Sequence, residues 1–313
     1  MDIDKLEACI EEIKLANIME SSLIYIDGRN TSLKNKIHEI RETFLSCWEQ
    51  DQLPIVMNCA KKLRNGIPLP VLSICGEGTR EIRYTKYLAY FLDPVKPHGL
   101  GSEFLKQVLR IDINRLGISE DVLDKVKVEN EVLIGTIPGK SGSVSCFCDI
   151  VLEGTGIVIF IEQKIHSSES GHLNSRFSQL HRYSRAIDKN PRYEDLKQLK
   201  VYLTPQNKQP KNVQDWIPIT HRQLVETGLE LLEDSALSNI ARENFARFLM
   251  DIAVGPYSGT ESDLIELRNI SDDLVNREFR LDKYIRFSNL SAENNILLKI
   301  IGECNAGEND RSR

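Results

Sequence analysis

Residues 148–164 of the chain read CDIVLEGTGIVIFIEQK, and this stretch decides the fold. Two apolar runs flank a glycine-bounded turn, which is the pattern of a β-hairpin. With residues 155–156 as a two-residue turn, antiparallel pairing places Asp149 directly opposite Glu162. The Cβ atoms of directly opposed residues lie about 4.5–5.5 Å apart. We therefore expect the two carboxylates to lie close enough to share one divalent cation.

Away from the turn, the charged residues of this hairpin are Asp149, Glu162 and Lys164. Glu162 and Lys164 are two residues apart in the second strand, so their side chains project from the same side. Charges buried in an apolar environment are costly unless they are paired. We therefore interpret the trio as a functional site, with a structural ion-pair cluster as the alternative.

The composition of the 313-residue chain, with 41% hydrophobic and 27% charged residues, is typical of a globular protein. No apolar stretch has the length of a membrane span, and the N-terminus lacks the features of a secretory signal. Seven scattered cysteines do not suggest a disulfide framework, and Cys146 and Cys148 lack zinc-site spacing. These features predict a cytoplasmic protein without a membrane partner. The net charge of −6 argues against non-specific coating of nucleic acid.

The elements predicted around the hairpin follow from hydrophobic periodicity and turn signals. They are helices over 79–92 (capped by Thr79), 102–109 and 174–187, and strands over 126–134, 147–153, 157–165, 199–203 and 216–219. This order predicts an α/β fold with a central mixed β-sheet flanked by helices. Further helices are predicted as a helical hairpin in the first 65 residues, and over 223–233, 241–253 and 262–287.

The pattern acid, any residue, lysine occurs three times, at Glu12, Glu162 and Asp195. The first match lies on a predicted helix, where residues two apart do not face each other. The third lies in a polar setting between a turn and a strand. Only the match at Glu162 lies within a strand, follows a continuous apolar run and has an acid facing it. Its context, rather than the pattern, makes it specific.

Asp149 and the tripeptide Glu162-Gln163-Lys164 resemble the motif of the PD-(D/E)XK nuclease superfamily, which has the restriction-endonuclease-like fold. Cys148 stands where the proline of the motif would lie, a position that varies widely in that superfamily. The resemblance implies a restriction-endonuclease-like core with helical extensions at both ends. It also implies hydrolysis of phosphodiester bonds with a bound metal ion.

A second element, Gln179-x-x-x-Tyr183, resembles the one found in RecB-like members of the superfamily. Residues 80–105 are similar to the opening of a bacterial subfamily, and the whole resemblance covers about residues 75–225. The domain division that follows is a helical N-terminal extension over 1–70, a nuclease core over 71–225 and a C-terminal helical region over 226–313.

The resemblance assigns a role to each residue of the motif. Asp149, Glu162 and the main-chain carbonyl of Gln163 would hold Mg²⁺, for which Mn²⁺ would substitute, and Mg²⁺ prefers such oxygen ligands. Lys164 would position or activate the attacking water and offset charge on the phosphate. Glu81, on the helix before the sheet, would be a further acidic ligand and catalytic residue. The alternative for Glu81 is a first-turn acid favourable to the helix dipole.

Nucleic-acid contacts are predicted on the helix after the hairpin. Gln179 and Tyr183 are four residues apart and so lie on one face of that helix, which the resemblance places near the metal and the nucleic-acid backbone. Arg182 and Arg185 are candidate phosphate contacts, which position a substrate rather than specify its sequence. A surface glutamine beside a semi-buried tyrosine is the alternative for the first pair.

The sequence therefore predicts a Mg²⁺-dependent nuclease that acts on nucleic acid, with DNA preferred over RNA as the expected substrate. A role in restriction or phage defence is implied by the resemblance alone. One alternative is a catalytically silent nucleic-acid-binding or scaffold protein that retains the fold. Another is an effector that a partner activates. The helical extensions would bind a partner protein or form a homodimer. The chain has no phosphate-binding loop, so intrinsic ATPase activity is not expected.

Overall fold

The computed structural model describes residues 38–39, 42–43, 46, 48–64, 66, 70–77, 80–139, 142–165, 178–205, 215–233, 236–254, 261–276 and 280–309. The described parts of Gly66–Leu264 and Ala292–Arg313 form one compact unit. The described residues before Gly66 form another unit with Ile265–Ser291. The helical hairpin predicted in the first 65 residues falls largely outside the described residues, and the three-part domain division stays a prediction.

The described helices are α1 (Leu53–Arg64), α2 (Val71–Ile74), α3 (Glu81–Leu92), α4 (Glu103–Arg115), α5 (Gln179–Asp188), α6 (His221–Leu232), α7 (Asn239–Val254), α8 (Glu261–Asn276), α9 (Leu281–Glu293) and α10 (Asn295–Asn309). The strands are β1 (Lys127–Gly139), β2 (Gly142–Gly154), β3 (Ile157–Gln163), β4 (Lys197–Thr204) and β5 (Trp216–Thr220). A π-helical segment, Trp48–Gln52, precedes α1, and 3₁₀ turns cover Glu120–Lys125 and Pro191–Tyr193. None of the helices described is long and apolar enough to cross a membrane.

The strands form one five-stranded sheet in the order β1-β2-β3-β4-β5. β1, β2 and β3 pair antiparallel, whereas β3, β4 and β5 pair parallel. Parallel neighbours need a crossover connection, and α5 lies in the connection between β3 and β4. The structure thus confirms the predicted α/β class with a central mixed sheet flanked by helices.

The β2–β3 hairpin has the predicted register. Gly154 pairs with Ile157 across a two-residue turn at 155–156. Gly156 has a φ of +74°, a left-handed conformation that glycine adopts at little cost. Every residue of β3 is buried, as expected for a continuous apolar run covered on both faces of a sheet.

Helices cover both faces of the sheet around β3. On one face, Ile187 of α5 belongs to the same buried core as Phe160. On the other face, Leu88 of α3 and Leu224 of α6 line one apolar space with Ile161. Adjacent strand residues point to opposite faces, so Phe160 and Ile161 anchor the strand to both helical layers. The end of β3 is therefore fixed from two sides.

The helices before the sheet differ in detail from the prediction. α3 begins at Glu81 with Arg80 as its N-cap residue, and Thr79 lies outside the described residues. α4 ends at Arg115 rather than near residue 109, because Ile113 continues its buried apolar stripe. The prediction ended this helix too early because polar residues follow residue 109.

The single helix predicted over 262–287 is wrong, since this stretch forms α8 and α9. Lys283 of α9 pairs with Asp273 of α8, and Arg286 pairs with Glu266 through two hydrogen bonds of 2.7 and 2.8 Å. α9 therefore folds back along α8, and each helix buries its own apolar stripe. α10, which packs against α7, was not predicted.

α5 packs against the sheet through a close approach to β1. The pairing of β1 with β2 is irregular next to Gly135, whose φ is +148°. A Cβ atom built on Gly135 would lie 2.8 Å from the carbonyl oxygen of Ala186 in α5. Only glycine combines this backbone conformation with so short a distance.

We predict that Gly135→Ala destabilises the protein by about 2 kcal/mol or more, because strained backbone costs about 1–3 kcal/mol and overpacking a similar amount. Gly142→Ala is the matched control. Gly142 has a φ of +134° on the same hairpin, but its missing Cβ faces open space. Urea denaturation of both variants gives the free energy of unfolding and separates the cost of backbone strain from that of overpacking. Equal losses of stability would contradict the close approach of α5.

Candidate active site

Lys164 lies at the end of β3 and joins two acidic residues from different elements. Its Nζ donates a hydrogen bond of 2.7 Å to Oε1 of Glu162 and another of 3.0 Å to Oε1 of Glu81. The Lys164 N–H donates to the carbonyl of Leu203 at 2.8 Å, which continues the pairing of β3 with β4. Glu81 lies in the first turn of α3 and also accepts from the N–H of Ile165 at 3.3 Å. The structure thus brings together three of the predicted site residues.

Asp149 reaches the same cluster from β2. The pairing of β2 with β3 ends at Ile150 and Ile161, one residue short of Asp149 and Glu162. Oδ2 of Asp149 accepts a hydrogen bond of 2.8 Å from the N–H of Gln163. The neighbouring Asp149 also helps to raise the pKa of Glu162, so the two carboxyl groups interact electrostatically. The two acids therefore lie side by side at the end of the sheet.

A backbone irregularity faces Asp149 across the β1–β2 pairing. Asn130 pairs with Ile150 and Val132 with Cys148, so the residue opposite Asp149 is Glu131. Glu131 is the non-glycine residue with a positive φ, 52°, among the described residues. Irregular strand positions beside active sites commonly redirect a side chain. Nothing in the hydrophobic pattern of the sequence indicates this conformation, and the sequence analysis missed it.

Burial makes the carboxylates of this cluster difficult to ionise. Glu162 is 1% exposed, and burial, together with the neighbouring Asp149, raises its pKa to about 8. Burial also raises the pKa of Asp149. Burial opposes the charged form of Lys164, but the Glu162 and Glu81 carboxylates outweigh it and raise the pKa of the lysine. Three carboxyl groups thus share one ammonium, which leaves the site short of positive charge.

The donor set fits a hard divalent cation, although the described residues contain no group of three or more Asp, Glu, His or Cys arranged to hold a metal. Oε2 of Glu162 is buried and has no hydrogen-bond partner among the described residues. Such an orphaned acceptor beside the Asp149 carboxyl is costly unless a cation or proton satisfies it. Two carboxylates and the main-chain carbonyl of Gln163 are oxygen ligands of the kind that Mg²⁺ takes while keeping several waters.

Gln179 and Tyr183 contact this cluster from α5. Nε2 of Gln179 donates a hydrogen bond of 2.7 Å to Oε1 of Glu162 and one of 2.9 Å to Oη of Tyr183. Burial and the nearby Glu162 carboxylate raise the pKa of Tyr183. Ser178 accepts from the N–H of His181 and so caps the first turn of α5. The helix therefore begins at the residue that contacts Glu162.

Arg182 and Arg185 lie on the same helix, and both are partly exposed. The carbonyl oxygen of Arg182 faces the thiol of Cys146 at 4.0 Å, which places this turn of α5 over β2. Their contact with phosphate groups stays a prediction.

Two residues around Gln163 were missed as site residues by the sequence analysis. The Gln163 side chain is 1% exposed, with Oε1 3.3 Å from Oγ1 of Thr85 and Nε2 3.1 Å from Nε2 of His221. Burial lowers the pKa of His221 to about 3, so the imidazole is neutral. Thr85 shares a helix stripe with Glu81, a signal that the sequence carried. His221 lies 58 residues from Gln163 and gave no local signal.

Comparison with known proteins agrees with this geometry. The family model for the PD-(D/E)XK nuclease superfamily matches residues 70–252, more than half of the chain. The match includes β1 to β5 and the helices that carry Glu81, Gln179 and His221. No curated protein and no solved structure shows significant similarity to the chain. On this match, the chain belongs to the PD-(D/E)XK nuclease superfamily.

Proposed function

We propose that this protein is a Mg²⁺-dependent nuclease that hydrolyses phosphodiester bonds in DNA. The observation that carries the proposal is the convergence of Asp149, Glu162 and Lys164 at the end of β3. One buried oxygen of Glu162 also lacks a hydrogen-bond partner among the described residues. Membership of the superfamily supports a nuclease. A role in restriction or phage defence rests on resemblance alone. In this proposal the helical extensions would serve a homodimer or a partner protein.

In this proposal, Asp149, Glu162 and the carbonyl of Gln163 hold the cation. A bound divalent cation polarises the scissile phosphate and lowers the pKa of a bound water. Asp149 is oriented by the N–H of Gln163, which fixes one of its two oxygens. The two acids therefore have different roles. Asp149 is anchored to the main chain, whereas one buried oxygen of Glu162 is unsatisfied among the described residues.

Lys164 acts as a hydrogen-bond donor to the phosphate or to the attacking water. Its ammonium has three protons, of which two are directed at Glu162 and Glu81. A donor fixed in a dry site stabilises the charge that develops in the transition state more effectively than one in water. Glu81 holds Lys164 in place from α3, and its further role as a metal ligand stays part of the proposal.

In this proposal α5 binds the nucleic-acid backbone through four side chains, those of Gln179, Arg182, Tyr183 and Arg185. Gln179 also fixes the rotamer of Glu162, because its amide donates to the oxygen that Lys164 contacts. The arginines lie beyond this first turn on the partly exposed part of α5 and would contact phosphates. Because phosphate contacts are electrostatic, their effect should fall steeply as the salt concentration rises.

We predict that Glu162→Gln and Asp149→Asn each lower cleavage by about 10²-fold or more, because metal-held and electrostatic groups of a site contribute at least that much. Cleavage of closed circular DNA, linear DNA and RNA is measured with Mg²⁺, with Mn²⁺ and with EDTA. Glu153→Gln, on the same hairpin but paired with Arg192, is the control and should cleave like the parent. Cleavage in EDTA, or full activity of Glu162→Gln, would rule out the proposed metal site.

We predict that Gln179→Ala lowers kcat by about 10- to 100-fold, because it removes a hydrogen bond to a charged group worth about 1.5–3 kcal/mol. Tyr183→Phe should have a smaller effect, since the Tyr183 hydroxyl hydrogen-bonds to Gln179, and it is Gln179 that donates to Glu162. Steady-state kinetics on the cleaved substrate measure both. Lys189→Gln, just after the same helix, is the control. If Gln179→Ala changes only KM, Gln179 binds substrate and does not orient Glu162.

A further inference from the structure

The side chain of Gln163 is held on both sides, and this arrangement has no role in the chemistry described above. Oγ1 of Thr85 in α3 lies 3.3 Å from the Gln163 amide, and Nε2 of His221, the first residue of α6, lies 3.1 Å from it. All three side chains are nearly inaccessible, at 1% exposure or less. We call this set, Thr85, Gln163 and His221, the Gln163 clamp.

The clamp acts on a residue whose main chain belongs to the proposed metal site. The N–H of Gln163 donates to Asp149, and the next N–H, of Lys164, donates to Leu203. With these two bonds and the side chain fixed, the Gln163 carbonyl between them has little freedom to rotate. The orientation of a proposed metal ligand is thus set by groups that do not touch the metal.

The clamp also connects the two helices that border the site. Thr85 lies one turn after Glu81 and contacts the Glu81 carbonyl oxygen at 3.0 Å. His221 begins α6, whose first turn is fixed by a capping box between Thr220 and Gln223. Movement of α3 relative to β3 would therefore alter both the Gln163 amide contacts and the Glu81–Lys164 ion pair.

We propose that Thr85 and His221 are positioning residues that fix the Gln163 carbonyl and the position of α3 for cation binding. This inference rests on the proposed nuclease function. Groups that orient the ligands of a metal change metal affinity by about 10–100-fold when they are removed. A buried polar cluster that served stability alone would lower the melting temperature and leave the metal affinity of the folded protein unchanged.

The test is titration of the full chain with Mn²⁺, followed by electron paramagnetic resonance, together with kcat and KM for cleavage. Thr85→Val keeps the shape of threonine but loses the hydroxyl, and His221→Leu removes the imidazole. We expect each to bind Mn²⁺ at least tenfold more weakly than the parent. Thr85→Ser restores the hydroxyl and should bind within about threefold of the parent, as a conservative rescue. If His221→Leu fails to fold, Thr85→Val still decides the question.

Ser271→Ala is the control, since it removes a hydroxyl that is 0% exposed and that donates to the Arg268 carbonyl outside the clamp. A Thr85→Val variant that is folded and binds Mn²⁺ as tightly as the parent overturns the inference and leaves the proposed function intact. A parent that neither binds Mn²⁺ nor cleaves nucleic acid overturns the proposed function, and the clamp's role with it. Equal loss of affinity in Thr85→Ser and Thr85→Val also overturns the inference.

Discussion

One ammonium group, Nζ of Lys164, holds the end of β3 together with α3. It pairs with Glu162 from its own strand and with Glu81 from the helix, and its side chain is 8% exposed. Removing one partner of a buried ion pair costs about 3–5 kcal/mol, because the remaining charge stays uncompensated. The position of α3, and of every residue on its site-facing side, therefore depends on this interaction. Thr85 belongs to that side of α3 and depends on it too.

One ammonium cannot neutralise the three carboxyl groups around it, which belong to Glu81, Asp149 and Glu162. Burial raises the pKa of both Asp149 and Glu162, and the neighbouring Asp149 raises that of Glu162 further. Lys164 and Gln179 both donate to one oxygen of Glu162, whereas the other oxygen has no partner in the part of the chain that the structure describes. A fold that served stability alone would gain by replacing such a group with an apolar side chain. The buried, incompletely satisfied carboxyl group therefore supports the proposed binding of a cation.

The sequence predicted the features that depend on residues near one another in the chain. The hairpin turn, its register at Gly154 and the placement of Glu162 beside Lys164 all follow from strand alternation across a short turn. Features that depend on tertiary packing could not be predicted from the sequence pattern. Glu131 has its left-handed conformation where the pairing of β1 with β2 is interrupted. The contact of His221 with Gln163 joins residues that only the folded sheet brings together. The local sequence pattern thus predicted the candidate catalytic residues. The residues that hold them in place, such as His221, become apparent only from tertiary packing.

Strand alternation explains why the contacts of Thr85 and His221 are made with Gln163. Glu162 and Lys164 project to one side of the end of β3, so the residue between them must project to the other. An apolar residue there would pack against α3 and α6 but would form no hydrogen bond to either helix. Gln163 instead hydrogen-bonds to both helices, so the middle residue of the motif fixes the peptide that its neighbours use. The acidic and basic residues of the motif can be positioned well only if the residue between them is also held.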